Sequence, residues 1–325
     1  MQGLVTVFGG SGFIGAQAVR ALAKRGFRIR AAMRRPGRGY RLRMLGDVGQ
    51  IEVAQANVRD PASVARALDG AQACVNLVGV LSEQGRQRFQ SVHAMGAQVV
   101  AEAAVKAGVG RFVQVSAIGA AHYALSKYAR SKAEGESAVR KLLPEAVILR
   151  PSIVFGPQDD FFNRFARMAV ASPALPLIGG GKTLFQPVFV GDVAAAIAQC
   201  ISDPATEGRT FELGGPGVYS FEALMRMILA AIERKTMLLP IPFPVASLIG
   251  MAGDLQAMVM KPVLTTDQVA SLRADSVVSP AAAGLAALRV TPTALEAVLP
   301  TYLGRYRKNG QYADLVEQVP QVLSA

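Results

Sequence analysis

Through the first two-thirds of the chain, short apolar runs of strand length alternate with stretches whose apolar positions recur every three or four residues. That alternation predicts strands and helices in turn, as in an α/β protein with a doubly wound parallel sheet. The strand-like runs are Leu4–Phe8, Phe27–Met33, Gln50–Gln55, Ala73–Leu77, Arg111–Ser116, Val147–Pro151 and Thr210–Leu213, the last closing the large sheet. Helical spacing falls on Ala16–Arg25, the stretch from Asp60 to Asp69, Gln87–Lys106, Asp159–Ala171 and Val193–Ile201. Asp60 followed by Pro61 marks a helix start, cap first and proline at the first helical position.

Past Val147–Pro151 the pattern loosens. Pro173 to Gly181 reads as loop, order resumes at Gln186–Val190, and from Ser220 onward the chain turns helical. We therefore expect one unit from residues 1–156 plus 187–215 and a smaller, mainly helical C-terminal one from 157–186 plus 216–325. Thr236–Gly253 carries no charge but holds Pro240, Pro242 and Pro244, which forbid a regular helix through its first half. It is too short and too broken for a transmembrane helix of about 20 residues. It reads as a buried connector or as an apolar docking surface. Thr265 with Gln268, and Thr293 with Glu296, have the spacing of capping boxes. Leu295, Leu299, Tyr302, Leu303 and Tyr306 follow at helical spacing and read as core.

Between the first strand and first helix lie glycines 9, 10, 12 and 15, in Phe8-Gly-Gly-Ser-Gly-Phe-Ile-Gly15. Gly9 can make the tight turn, Gly12 can let a pyrophosphate approach the backbone, and Gly15 can let helix and strand pack closely. Phe13 and Ile14 open the helix, whose free N–H groups and positive dipole end favour phosphates. This points to a dinucleotide. At the end of the second strand an acid would hold the ribose 2′-OH of NAD, and here stand Met33, Arg34 and Arg35. Guanidinium groups pair with a 2′-phosphate that a carboxylate would repel, so Arg34 and Arg35 argue for NADPH. Val78 and Gly79, after the fourth strand, would leave room for the cofactor.

The formal net charge of +12 is unevenly placed. Ten basic residues, from Arg20 to Arg43, precede the first acidic one, Asp47, and the remainder is nearly balanced. Such a field suits phosphates, anionic lipid or an acidic partner surface. No basic module interleaved with aromatics appears, which argues against nucleic acid. The two cysteines, Cys74 and Cys200, are far apart in apolar segments and suit a reducing compartment. His93 and His122, the only histidines, have no metal-ligand spacing around them and read as structural; no metal is expected. Gly179-Gly-Gly-Lys-Thr183 resembles a phosphate loop but lacks the upstream glycine and a preceding strand, so it reads as a turn. Met1 is three residues from the first strand, so we expect either a cytoplasmic chain or a mature one whose presequence is missing.

Tyr128 and Lys132, four apart, share one helix face. A lysine there can hold the nicotinamide ribose and lower the phenol pKa, making the tyrosine a general acid or base. Tyr123 and Lys127 repeat the spacing just upstream.

The glycine series, the Tyr128/Lys132 pair and Arg150-Pro-Ser-Ile-Val-Phe-Gly156 together resemble the extended or atypical short-chain dehydrogenase/reductase superfamily, over residues 1 to about 215. The resemblance implies a Rossmann sheet, catalysis by Tyr128 and Lys132, and cofactor contacts from Gly9, Gly12, Phe13, Ile14, Gly15, Arg34, Arg35, Asn57, Val58, Val78, Gly79, Pro151 and Ile153. Three positions depart from it. Ala117 stands where that superfamily has a substrate-steadying serine, and Ser116, one residue early, points the other way. Asn57 replaces an aspartate near the adenine, and His93 replaces a helix asparagine. Loss of one positioned donor costs about 10²–10³ in rate, so the chemistry looks eroded around a retained cofactor site.

Further stretches extend the likeness to nearly the whole chain: Val115–Gly119, Ser126–Glu136, Phe185–Asp192, Leu264–Gln268 and Thr301–Tyr306. They resemble the dehydrogenase-like accessory subunits of respiratory complex I. That branch implies a firmly held NADPH without established turnover and contacts with complex I subunits and membrane lipid through the C-terminal unit and basic surface. It also implies a peripheral place on the cytoplasmic face of a bacterial inner membrane. A free NAD(P)H-dependent reductase, epimerase or dehydratase stays open, as does a redox-sensing regulatory protein.

Overall fold

The structure, a computed structural model, describes residues 2–256 and 264–310; the end of the expected C-terminal unit, 311–325, lies outside them. In chain order the strands are β1 (Gln2–Phe8), β2 (Phe27–Met33), β3 (Ile51–Gln55), β4 (Ala73–Asn76), β5 (Arg111–Val115), β6 (Val147–Pro151), β7 (Val154–Phe155), β8 (Ala174–Ile178), β9 (Leu184–Phe185), β10 (Val188–Phe189), β11 (Thr210–Leu213), β12 (Tyr219–Ser220) and β13 (Met237–Ile241). The helices are α1 (Phe13–Lys24), α2 (Pro61–Leu68), α3 (Met95–Lys106), α4 (Lys127–Leu142), α5 (Phe161–Ala171), α6 (Val190–Ser202), α7 (Phe221–Ala231), α8 (Phe243–Gln256), α9 (Thr266–Ser271) and α10 (Leu295–Leu303).

Seven strands form one sheet in the order β11-β6-β5-β4-β1-β2-β3, every pairing parallel. The doubly wound α/β fold is thus present. Alternation along each strand divides the core into two layers. Val5, Val7, Ile29 and Val113 pack with α1 and α6 through Val19, Leu22, Val193 and Ile197. Phe8, Cys74, Phe112 and Ile148 face the other way, against Val64 and Leu68 of α2, Val100 of α3 and Val139 of α4. Each large side chain buried in this way contributes about 1.5–3 kcal/mol. The chain reverses its winding between β1 and β4, so the crevice at the carboxyl ends of those strands is where such a sheet binds a ligand.

A third apolar cluster joins Phe162 and Ala166 of α5, Phe221, Leu224 and Ile228 of α7, and Leu299 and Tyr302 of α10. Phe161, Phe165, Phe185 and Phe221 meet there edge-on or tilted.

Several expectations need correction. Residues 173–181 are not loop throughout: Ala174–Ile178 is β8, pairing in parallel with β13, so Thr236–Gly253 opens as a strand and not a connector. Proline fits in this pair because a two-stranded ribbon consists only of edges, where a missing N–H is tolerated. Gly179–Gly181 is indeed a turn, with φ of 64°, 68° and 72°, but β8 immediately precedes it. The helix expected from Gln87 starts as a wide turn at Gln90–Ala94. The Thr265/Gln268 capping box is present, whereas Thr293 is not a cap. Its N–H and hydroxyl both donate to the Asp192 carboxylate, at 2.7 and 2.9 Å. Glu296 instead accepts from the Tyr219 hydroxyl.

Candidate cofactor site

At the head of the crevice Gly9 has φ of 82°, a left-handed conformation that a side chain disfavours. Its carbonyl accepts the Gly12 N–H at 2.9 Å, closing the turn. A Cβ on Gly15 would lie 2.2 Å from the Gly9 oxygen and 2.8 Å from Gly10 Cα, so helix and turn touch through backbone alone. Gly12 is the exposed N-cap of α1 and supplies no side-chain cap, and the first turn contains no acid. The N–H groups of Phe13 and Ile14 therefore remain for an anion, and the cradle fits a pyrophosphate. Phe13 also packs near Gly156, beyond β6.

On leaving β2 the chain buries Met33, and Arg34 and Arg35 are exposed. Neither guanidinium makes a hydrogen bond or ion pair within the described residues. Arg30 of the same strand, by contrast, is held by Glu52 at 3.1 Å. After β3, the Asn57 side chain accepts the Arg59 N–H at 3.2 Å, shaping the turn into α2, and Val58 is buried beside Gly96. Asp60 caps α2 through the Ala62 N–H.

The other end of the crevice is tightly tied. Asn76 bonds Gln114 at 2.9 Å and accepts the Val78 N–H, fixing the loop after β4. The Val80 N–H donates to His93 Nε2 at 2.9 Å. With Nε2 accepting, the ring proton sits on Nδ1 and is donated to Ser131 Oγ at 2.9 Å; that hydroxyl donates to the Tyr128 carbonyl. His93 thus joins the β4 loop to α4, a link that sequence reading missed although the departure at this position was visible. Phe89 stacks on His93, and both meet the Tyr128 ring edge-on. Burial, and then the charge of Lys132, lower the His93 pKa to about 2, so the ring is neutral and is no proton carrier near pH 7.

Lys132 Nζ donates to the Val115 carbonyl at 3.3 Å and lies 5.9 Å from the Tyr128 ring centre. A Cβ on Gly79 would come within 3.2 Å of Nζ, so glycine leaves the lysine its space. Burial lowers the Lys132 pKa to about 8, against the raising charge of Glu136. The pair stands together on α4, but the phenol is not activated as expected. Burial first, and then the charge of Asp267, push Tyr128 up to about 12. The tyrosine can donate a proton but is a poor base at neutral pH. Tyr123, the upstream decoy, is 93% exposed and precedes the helix.

Ala117 lies half-buried just past β5. The Ser116 hydroxyl is buried without a hydrogen-bond partner among the described residues. Pro151 ends β6 and accepts the Ile118 N–H, tying the loop after β5 to that strand. The Ile153 carbonyl accepts from Val188. Among the described residues no group of metal-binding side chains occurs.

Residues 5–214 match the NAD dependent epimerase/dehydratase family. The chain belongs to that family. It is 34% identical over 322 residues to the NADH dehydrogenase [ubiquinone] 1 alpha subcomplex subunit 9 of Arabidopsis thaliana, covering 95% of this chain and 80% of the relative. The same subunit of Mus musculus is 36% identical over 307 residues, covering 94% and 80%. A ceramide reductase of Caulobacter vibrioides is 31% identical over 243 residues, with 75% of each chain covered. Among solved structures, the NADPH-dependent quinone oxidoreductase of Escherichia coli complexed with NADPH superposes with a TM-score of 0.72 at 20% identity, over 91% of this chain and 99% of that one. At that identity the likeness shows the fold alone. The family and the geometry of the glycine cradle agree on a nicotinamide nucleotide as ligand.

Proposed function

We propose that this protein is an accessory subunit of respiratory complex I that holds NADPH as a structural ligand. The observation that carries the reading is similarity along 94–95% of the chain to complex I alpha-subcomplex subunits, C-terminal region included. Two features of the site support it. The nucleotide end keeps the glycine turn and an uncapped helix N-terminus, while the reactive end has Ala117 in place of a hydroxyl donor and a phenol held protonated.

The exposed guanidinium groups of Arg34 and Arg35, without partners among the described residues, suit the 2′-phosphate of NADPH in preference to the hydroxyl of NAD. The subunit sits peripherally on the cytoplasmic face of the membrane. Among the described residues no helix is long and apolar enough to cross it. The smaller unit, 157–186 plus 216–325, meets neighbouring subunits and lipid through Val245, Leu248, Met251 and Leu255 of α8, all exposed. The basic stretch around Arg38, Arg41 and Arg43 adds an anion-seeking surface.

A second reading is favoured by the relation to a ceramide reductase and by the intact Tyr128/Lys132 pair: a free NADPH-dependent reductase of a carbonyl substrate. Native purification of the tagged chain from membranes separates the two. The accessory subunit travels with complex I and releases NADPH on denaturation; a free enzyme travels alone.

A further inference from the structure

The helix bearing Tyr128 and Lys132 is held at its start by a residue from far along the chain. The first four N–H groups of an α-helix lack partners within it. In α4 the Arg130 N–H makes the first intrahelical bond, to the Ser126 carbonyl at 3.2 Å, and Ser126 Oγ accepts from Ala129 at 3.0 Å. The N–H groups of Lys127 and Tyr128, ahead of it, donate to one carboxylate. Asp267 Oδ1 accepts from Lys127 at 2.5 Å and Oδ2 from Tyr128 at 3.2 Å, across 140 and 139 residues.

Asp267 lies in the first turn of α9, which is itself firmly fixed to α8. The Thr265/Gln268 capping box starts it, and Asp254 of α8 accepts the Thr266 N–H at 3.3 Å. A Cβ on Gly250 would fall 2.8 Å from the Thr266 nitrogen, and one on Gly253 would fall 1.8 Å from the Leu264 oxygen. Val269, 1% exposed, fills the space between Ile178 and Ala246. Helices α8 and α9 thus form one piece, joined to the sheet-side helix by charge-assisted hydrogen bonds to backbone amides. The carboxylate also opposes the positive dipole end of α4, removing potential that would favour a phenolate at Tyr128.

We propose that Asp267 is a positioning residue that clamps the first turn of the Tyr128–Lys132 helix to the α8–α9 piece, so that order in that piece and retention of the nucleotide are coupled. The coupling is reciprocal: whatever loosens α8–α9 weakens nucleotide binding, and the nucleotide steadies α9. The inference rests on the nucleotide reading above.

The test uses the full-length chain as wild type, Asp267→Ala and Asp267→Glu. It measures NADPH affinity, melting temperature and amide hydrogen exchange with and without NADPH. Asp267→Ala is expected to weaken NADPH about tenfold, and Asp267→Glu to recover part of that loss. NADPH is expected to slow exchange in α9 of the wild type and not of Asp267→Ala. A folded Asp267→Ala protein that binds NADPH within twofold of wild type overturns the clamp. Should that variant not fold, Asp267→Asn, which sets an amide N–H against one donor, is judged by the same criterion. A wild type that binds no NADPH sinks the nucleotide reading instead. The clamp then stands or falls on whether exchange at Lys127–Ala129 speeds about tenfold in Asp267→Ala.

Discussion

The two ends of the crevice are built on opposite plans. At the glycine turn the protein withdraws its side chains: Gly9, Gly12 and Gly15 open the way to the N–H groups at the start of α1, and the Arg34 and Arg35 guanidinium groups reach into solvent without partners among the described residues. At the reactive end most polar groups are tied to the protein itself, the Tyr128 phenol and the Ser116 hydroxyl excepted among the described residues. His93 is bonded to Val80 and Ser131, Lys132 to Val115, and the backbone of Tyr128 to Asp267. The contrast is the one expected of the proposed structural role of the nucleotide.

The comparison breaks most sharply at Gly15. Gly15→Val drives a branched side chain into the Gly9 carbonyl, 2.2 Å from the ideal Cβ. A destabilisation of about 1–3 kcal/mol is expected from overpacking, together with loss of detectable nucleotide binding. Thermal melts and nucleotide titration check both, and near-normal affinity would show that the turn is not the cradle. Next is the pair Arg34→Ala/Arg35→Ala. Charge-assisted hydrogen bonds of about 1.5–3 kcal/mol predict NADPH weakened about 10–100-fold and NADH hardly changed. Equal losses for the two nucleotides would refute the 2′-phosphate assignment.

The smallest effect is expected at the other end. The Tyr128 phenol oxygen makes no hydrogen bond to protein within the described residues. Tyr128→Phe should change NADPH affinity by less than about 1 kcal/mol. No carbonyl-reductase activity should be lost, because none is expected beforehand. Turnover by the wild type that Tyr128→Phe abolishes would favour the reductase reading.

How far the sequence foretold this arrangement depends on the range of the interactions. The seven strands were legible because each is a local apolar run, and Phe27–Met33, Val147–Pro151 and Thr210–Leu213 fall where their patterns end. The glycine turn was legible because its geometry depends on residues a few positions apart. The β8–β13 pair was not, since Pro176 and Pro240 speak against a strand until an edge-only ribbon is known to receive them. Thr293 misled because a capping box and a ligand for Asp192 look alike in one dimension. The state of Tyr128 was misread for the same reason: Lys132 is four residues away and visible, while burial and Asp267 come from the fold.

The central claim, a nucleotide held as a structural part of a larger assembly, meets its most direct test in one measurement. The tagged chain is purified natively from membranes, and the nucleotide released on denaturation is identified by mass and counted against the chain and its co-purifying complex I subunits. About one NADPH per chain, in a fraction containing complex I, is the expected result. A chain that carries no nucleotide, or that runs as a free species without those subunits, would contradict it.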